Sequence, residues 1–217
     1  SQYREEQKNS NFKLVVLRCV KYHNIIFAPI TVSCFLVCEP LILIWVGQNY
    51  FQYIWLIKLS IIFQLLWQSG AAFGQVYLGS GLSKKPGIVA LVLGISNVLC
   101  SLYLVEIYGL AGVILGTLIC GTIGVPIAVY WQLPDLKINN YEYWIKTVLK
   151  AQAIPLFFLT IVTYLQLINI LKINSWGIIL FVFLFFNAFQ YCAIYTFSLD
   201  RKEKKYIKSN LYNLFKN

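Results

Sequence analysis

Long apolar stretches, separated by short polar or glycine-containing turns, follow one another along almost the whole chain. A helix needs about 20 mainly apolar residues to cross the hydrocarbon core of a bilayer. The pattern predicts six such helices, which we place at 24–45, 53–78, two within 86–131, 144–166 and 176–197. We therefore predict an all-α integral membrane protein with six transmembrane helices.

The pattern is clearest over 86–131, where Glu106 is the only charged residue and a turn at Tyr108-Gly109 separates two spans. In the second span Gly112 and Gly116 are four residues apart, and Gly109 extends this run of small residues. Such spacing lets another helix backbone approach closely. The alternative is that glycine is simply more frequent in membrane helices than in soluble ones.

Polar residues of the second span lie on one side of the predicted helix. At 100° per residue, Ser60, Gln64, Gln68, Ala71 and Gln75 fall within about 80° of one another. An amide in hydrocarbon must find a hydrogen-bonding partner or water. We favour a water-filled cavity lined by Gln64, Gln68 and Gln75, while interhelical hydrogen bonding without a transport role stays open.

Asn97 and Lys58 are two further candidates for a substrate path. Asn97 and Ser101 are one turn apart in the third span and form a second polar patch. Lys58 points about 120° away from the polar side of its helix. It is either a substrate contact at depth or a side chain that reaches the lipid headgroups.

The first span contains Pro29 and the pair Glu39-Pro40. A proline removes a helical hydrogen bond, so both positions are candidate hinges. A carboxylate in this region costs about 2 kcal/mol or more, so Glu39 is a candidate coupling residue. The alternative is a hydrated side chain that caps backbone groups freed by Pro40.

Composition supports the membrane class, with 59% hydrophobic residues, 12% charged residues and a mean hydropathy of +0.68. The net charge of +10 does not indicate nucleic-acid binding, because the charges lie at the ends of the spans. Sixteen of the 18 Lys and Arg residues lie on one side, and only Lys58 and Lys172 lie on the other. The positive-inside rule then places both ends of the chain in the cytoplasm. We divide the chain into an amphipathic leader (1–23), a six-span lobe (24–199) and a basic tail (200–217).

The sequence offers no catalytic or metal-binding pattern. The six cysteines form no C-x-x-C pair, and His23 has no partner at metal-ligand spacing. We expect buried, reduced thiols, no cofactor and no enzymatic activity. The chain contains no methionine, even at its first position, from which we expect a piece of a longer protein.

The order of glycines and polar residues resembles that in the second half of bacterial polysaccharide flippases. The motifs are Trp45-Val-Gly47, Gly79-x-Gly81 before Lys84, Asn97, Tyr108-Gly-Leu-Ala-Gly112 and Gly116-Thr117. These flippases are the O-antigen and capsule exporters of the multidrug/oligosaccharidyl-lipid/polysaccharide superfamily. The resemblance covers roughly residues 22–197.

The resemblance implies one lobe of a twelve-helix transporter whose two six-helix lobes are related by a pseudo-two-fold axis. It implies export of undecaprenyl-pyrophosphate-linked oligosaccharide across the bacterial inner membrane by alternating access. The implied partners are this lipid-linked oligosaccharide, membrane lipids, the missing amino-terminal lobe and the polysaccharide polymerase machinery. Two alternatives stay open: a cation-coupled multidrug exporter of the same superfamily, with Glu39 as coupling residue, and a membrane-bound polysaccharide polymerase or acyltransferase. The latter class would ordinarily show a long extramembrane loop or clustered His, Asp or Arg residues.

Overall fold

A computed structural model describes residues 2–167, 175–201, 203–205 and 208, with the backbone alone for residues 2–11 and 167. Six helices in these ranges are long and apolar enough to cross a membrane, and the described residues contain no strand. The prediction of an all-α, multi-pass membrane protein with six spans is therefore confirmed.

The helix bounds agree with the predicted spans to within a few residues at most ends. The six α-helices are α1 (Gln2–Trp45), α2 (Ile54–Gly79), α3 (Lys84–Tyr108), α4 (Leu110–Gln132), α5 (Lys150–Leu167) and α6 (Trp176–Phe197). Three short helices join them: 3₁₀-helices at Gln48–Tyr53 and Leu133–Leu136, and a π-helix at Glu142–Leu149 that leads directly into α5. The predicted turn at Tyr108-Gly109 is confirmed, since Gly109 adopts φ 59° between α3 and α4.

Successive helices run up and down, so the connections lie at two ends of the bundle. We call the end with the α1–α2 and α3–α4 connections the Gly109 end. We call the opposite end the basic end, because α3 begins there with Lys84 and Lys85 and the connection after α4 contains Lys137. Within the bundle α1 packs against α2, α5 and α6, and α2 also packs against α4. Helix α3 packs mainly on α4 and has no buried residue, so it forms the edge of the molecule.

The leader predicted at 1–23 is not a separate element over its described part. Residues 2–45 form one continuous helix, and Val16 and Val20 are completely buried at the basic end. They pack in a cluster with Tyr77 of α2 and Tyr143 of the π-helix. The helix continues because no glycine or proline interrupts the chain before Pro29.

The connection after α4 is largely packed into the same cluster. Leu133, Leu136, Ile138 and Tyr143 are buried. The 3₁₀-turn and the left-handed backbone of Lys137, with φ 54°, reverse the chain and direct these apolar side chains inward. Three charged residues lie between them: Asp135 and Lys137 stay exposed, and Glu142 is half-buried.

Candidate functional site

The polar side of α2 lies open on the surface of the bundle. Gln64 and Gln75 are exposed, and neither makes a side-chain hydrogen bond to the residues that the structure describes. Ser60 is half-buried and donates its hydrogen to the Leu56 carbonyl within the helix. Helix α4 packs beside this face, where Gly70 approaches Val125. We call Ser60, Gln64 and Gln75 the open polar face.

Gln68 belongs to the same predicted stripe but has a different environment. Its Nε2 donates to Oγ1 of Thr31 on α1 over 2.7 Å, and its Oε1 is buried without a partner among the described residues. Interhelical hydrogen bonding, the alternative left open from the sequence, therefore describes Gln68. Gln64 and Gln75 remain exposed polar groups in the same span.

Two clefts run along the open polar face at different depths. The first, of about 420 Å³, lies between α2 and α4 and is lined by Ser60, Gln64 and Thr117 among apolar residues. The second, of about 320 Å³, lies nearer the basic end and is lined by Gln75 and Gln132 together with side chains of α3. Gln64 and Gln75 are eleven residues apart, which corresponds to about 16 Å along a helix.

Asn97 contacts the first cleft through Thr117. Its Oδ1 accepts hydrogen bonds from Oγ1 of Thr117, at 3.2 Å, and from Oγ of Ser101, at 3.1 Å. Asn97 itself is not among the residues lining that cleft. It joins α3 to α4 and fixes the Thr117 hydroxyl beside the cleft.

Lys58 lies away from the open polar face, in a cluster near the Gly109 end. Its Nζ forms an ion pair with Oε2 of Glu39 at 2.9 Å and donates to Oε1 of Gln166 at 3.2 Å. The side chains of Lys58 and Glu39 are 22% and 38% exposed. We call Glu39, Lys58 and Gln166 the ion-pair cluster, which joins α1, α2 and α5.

The ion-pair cluster also explains how the chain accommodates Pro40. Proline has no N–H, so the carbonyl four residues earlier, that of Leu36, lacks its helical donor. Nε2 of Gln166 donates to this carbonyl at 3.1 Å. The alternative in which Glu39 caps the freed backbone does not describe the structure, because Gln166 occupies that place.

A signal for the Glu39–Lys58 pair was present in the sequence. Glu39 stands eight residues before Gly47 and Lys58 eleven after it, so two antiparallel helices joined there hold both side chains at similar depth. No such signal identified Gln166. It lies far from Glu39 along the chain, so the sequence specifies neither its depth in the bundle nor the side of α5 on which it lies.

Pro29 is held by α6. Nε2 of Gln190, which is completely buried, donates to the Pro29 carbonyl at 3.2 Å and to Oγ of Ser33 at 3.1 Å. The Oε1 of Gln190 is buried without a partner among the described residues. The candidate hinge at Pro29 is therefore bonded to its neighbouring helix in this conformation.

A fully buried polar network lies deeper in the bundle and was not predicted from the sequence. Oδ1 of Asn24 accepts hydrogen bonds from Ser69, at 2.9 Å, and from Gln152, at 2.6 Å. The hydroxyl of Tyr143 donates to the Ser69 carbonyl at 2.7 Å. Because every one of these groups is enclosed by α1, α2 and α5, the network joins these helices and offers no contact to a substrate.

The predicted glycines lie where α3 and α4 approach closely. A Cβ added at Gly112 would overlap the Leu104 carbonyl of α3, and one added at Gly116 would overlap Ser101. Gly109 has free space around it but adopts a positive φ that a side chain disfavours. The hairpin thus places its smallest residues at the helix contact.

The cysteines and acidic residues form no metal site in the described parts of the chain, which contain no cluster of three or more His, Cys, Asp or Glu. All six cysteines are free thiols. The expectation that they are buried is wrong for Cys19 and Cys192, which are exposed on apolar helices.

At the basic end, Lys21 of α1 holds Glu203 in the segment after α6, at 2.7 Å. The hydroxyl of Tyr22 and the amide of Asp200 also donate to this carboxylate. Partial burial acts to raise the pKa of Glu203, but these hydrogen bonds outweigh it and lower the pKa below its usual range.

Comparisons with protein-family models, with curated proteins and with solved structures find no match to this chain. The resemblance to polysaccharide flippases therefore depends on the sequence motifs, and the functions that it implies are proposals.

Proposed function

We propose that this chain is one lobe of a two-lobe transporter that moves undecaprenyl-pyrophosphate-linked oligosaccharide across the bacterial inner membrane for surface polysaccharide synthesis. Both ends of the chain are then cytoplasmic, and the basic end faces the cytoplasm. The observation that carries the proposal is the open polar face of α2, where Gln64 and Gln75 are exposed within a membrane span.

Exposed amides are costly in hydrocarbon, because lipid offers them no hydrogen bonds. Gln64 and Gln75 therefore need either water or a polar surface of a partner beside them. A facing lobe that encloses a wet cavity supplies this environment. An oligosaccharide needs such a path, since its hydroxyl groups cannot cross hydrocarbon unsolvated.

The two clefts suit passage in steps. They lie at different depths on the same side of α2, so a sugar can exchange one set of neutral hydrogen-bonding groups for the next. Alternating access requires the lobe to change shape at a few positions. Pro29 and Pro40 are candidates, because both interrupt the hydrogen bonding of the long helix α1.

A cation-coupled multidrug exporter is the second candidate, and the observation that favours it is a carboxylate at Glu39 beside the candidate hinge Pro40. In this conformation Lys58 neutralises Glu39. Coupling would require the ion pair to open during transport so that a cation replaces Lys58. Loss of proton-dependent drug efflux in Glu39→Gln, with unchanged sugar transport, would favour this second function.

The proposal is tested with the full-length transporter in liposomes that contain fluorescent undecaprenyl-pyrophosphate oligosaccharide. A membrane-impermeant quencher reports how fast the lipid crosses. Gln64→Leu with Gln75→Leu should slow crossing about 3- to 10-fold for each lost amide contact. Gln52→Leu is the matched control, because Gln52 is exposed in the 3₁₀-helix that precedes α2 and does not line either cleft.

Transport by the wild type, slowed in the double variant and normal in the control, supports the proposal. A wild-type protein that does not move the lipid, or a double variant with the wild-type rate at equal reconstituted amounts, contradicts it.

A further inference from the structure

We propose that the first cleft, between α2 and α4, binds a neutral sugar ring of the transported lipid, with Ser60, Gln64 and Thr117 as its hydrogen-bonding groups. This inference rests on the proposed function and assigns one substrate contact within it. The cleft's volume of about 420 Å³ is within the range of small-molecule pockets, and its mainly apolar lining with a few polar groups is typical of them.

The absence of charged side chains among the described lining residues favours a neutral ligand in this cleft. None of the lining residues that the structure describes carries a charge. A pyrophosphate binds where cations or several N–H donors converge, and a metal ion binds where carboxylates do. The cleft offers neither arrangement, so it fits the sugar and not the pyrophosphate of a lipid-linked oligosaccharide.

The direction of the hydrogen bonds gives a second argument. Each hydroxyl has one hydrogen, and that of Ser60 is donated to the Leu56 carbonyl at 2.9 Å. The Thr117 hydrogen is directed to Oδ1 of Asn97 or to the Val113 carbonyl, both at 3.2 Å. Both hydroxyls therefore present acceptor lone pairs to the cleft, and a ligand must donate to them.

Sugar hydroxyls can donate, whereas unprotonated phosphate oxygens only accept. Gln64 adds both an amide donor and a carbonyl acceptor at the same cleft. A lipid acyl chain would fill the apolar part of the cleft but would leave the Gln64 amide unpaired. A sugar ring satisfies both parts, because its C–H faces pack on apolar side chains such as Ile57 and Ile114.

Asn97 is a positioning residue in this arrangement. Its Oδ1 lies within hydrogen-bonding distance of both the Thr117 and the Ser101 hydroxyl and offers the Thr117 hydrogen an acceptor on α3, in addition to the Val113 carbonyl on its own helix. Removal of the Asn97 amide should therefore reduce sugar selectivity through Thr117 and not through a direct substrate contact.

The test is photo-crosslinking with the full-length transporter in liposomes. Ile114 is replaced by p-benzoylphenylalanine, and the same replacement at Ile119 is the matched control. Both are exposed isoleucines of α4, but Ile119 lines an apolar groove between α3 and α4. The probes are radiolabelled undecaprenyl pyrophosphate with an N-acetylglucosamine disaccharide and the same carrier without sugar.

We expect crosslinking of the sugar-bearing carrier at Ile114 but not at Ile119, and competition by the free disaccharide but not by inorganic pyrophosphate. Equal crosslinking by the sugar-free carrier would indicate a lipid or pyrophosphate site and overturn the inference. Equal crosslinking at both positions would also overturn it, and so would no crosslinking at Ile114 together with a wild-type transport rate in Thr117→Val.

A second variant decides the question if the photoreactive side chain disturbs the cleft. Thr117→Val should slow crossing of the sugar-bearing carrier about 3- to 10-fold, as for one lost hydrogen bond. Thr160→Val is the matched control, since Thr160 is exposed on α5 and likewise donates within its own helix. Equal rates for the two variants would contradict a sugar contact at Thr117.

These outcomes separate the inference from the proposed function. If the protein with p-benzoylphenylalanine at 114 crosslinks the sugar but the wild type moves no lipid-linked sugar, the transport proposal fails and the cleft assignment stands. If the wild type moves the lipid, the photoreactive variant gives no crosslink at 114 and Thr117→Val has the wild-type rate, the cleft assignment fails and the transport proposal stands.

Discussion

Polar residues within the spans of this protein have two distinct environments. Gln68, Gln152 and Gln190 donate across helix contacts, and their side chains are buried or half-buried. Gln64 and Gln75 have exposed side chains without such bonds. The same residue type thus joins helices at some positions and is left to meet water, a substrate or a partner at others.

The ion-pair cluster makes a prediction at the scale of single residues. Lys58→Met leaves the partly buried Glu39 carboxylate without its cation, and we expect a loss of about 1–3 kcal/mol in unfolding free energy. The loss for a fully buried ion pair would be larger; we expect a smaller loss of unfolding free energy here because both side chains are partly exposed. The double variant Glu39→Gln with Lys58→Met should recover part of this loss, since no charge is left alone.

The measurement is chemical unfolding of the purified protein in detergent, analysed as a double-mutant cycle. Strictly additive effects of the two substitutions would contradict a stabilising contact between Glu39 and Lys58.

The sequence predicted on which side of a helix several polar residues lie, but it did not predict their hydrogen-bonding partners. The α2 stripe follows from helical periodicity, because a side chain's direction on one helix depends only on its position. Whether that direction meets α1, as for Gln68, or open space, as for Gln64, depends on where the other helices pack. The buried Asn24–Ser69–Gln152 network was missed for the same reason, since its members come from three helices.

Among the helices, the α3–α4 hairpin is the unit most completely specified by sequence. Its turn, its low charge between residues 86 and 131 and its close-packed glycines all follow from local residues. The continuity of α1 through the leader was not predicted, because charged residues among apolar ones suggest a surface helix equally well. In the structure the packed connection at 133–143 covers this part of α1, and that arrangement depends on tertiary contacts.

The glycine contacts make a prediction for the hairpin. Gly116→Ala would place a methyl group into the Ser101 backbone, and overpacking of this kind costs about 1–3 kcal/mol. Gly94→Ala is the matched control in α3, because a Cβ there meets no atom within 4 Å. We expect the control to be neutral or slightly stabilising. Thermal unfolding in detergent compares the two, and equal stability of the variants would contradict close packing at Gly116.

The attachment of the segment after α6 gives a prediction for pH dependence. The pKa of Glu203 is lowered in the folded protein, so its contribution is present above the unfolded carboxyl pKa and is lost as pH falls through the folded pKa. We expect the segment that carries Asp200 and Glu203 to stay docked on α1 at neutral pH and to detach as the pH falls through this lowered pKa. Glu203→Gln should detach it already at neutral pH.

Hydrogen exchange of amides near Asp200 measures this docking across pH. If these amides are equally protected from exchange in the wild type and in Glu203→Gln at pH 7, the Glu203 carboxylate does not hold the segment after α6 on α1.

At the scale of the whole molecule, the described helices form a six-helix unit with one polar side. The core joins α1, α2, α5 and α6, while α3 lies at the edge with its apolar surface exposed. Most of that exposed surface suits lipid, whereas the open polar face of α2 does not. The proposal that this protein is one half of a transporter depends on this difference between the apolar exposed surface and the open polar face.

The most direct measurement is labelling of single introduced cysteines by a hydrophilic, membrane-impermeant thiol reagent in the full-length protein. Gln64→Cys and Gln75→Cys test the open polar face, and Leu59→Cys is the control, because Leu59 is also exposed on α2 but lies off this face. Mass spectrometry reads each site separately from the native cysteines. The account predicts that Gln64→Cys and Gln75→Cys are labelled while Leu59→Cys is not. Protection of Gln64→Cys and Gln75→Cys to the same extent as Leu59→Cys would contradict a water-filled path along α2.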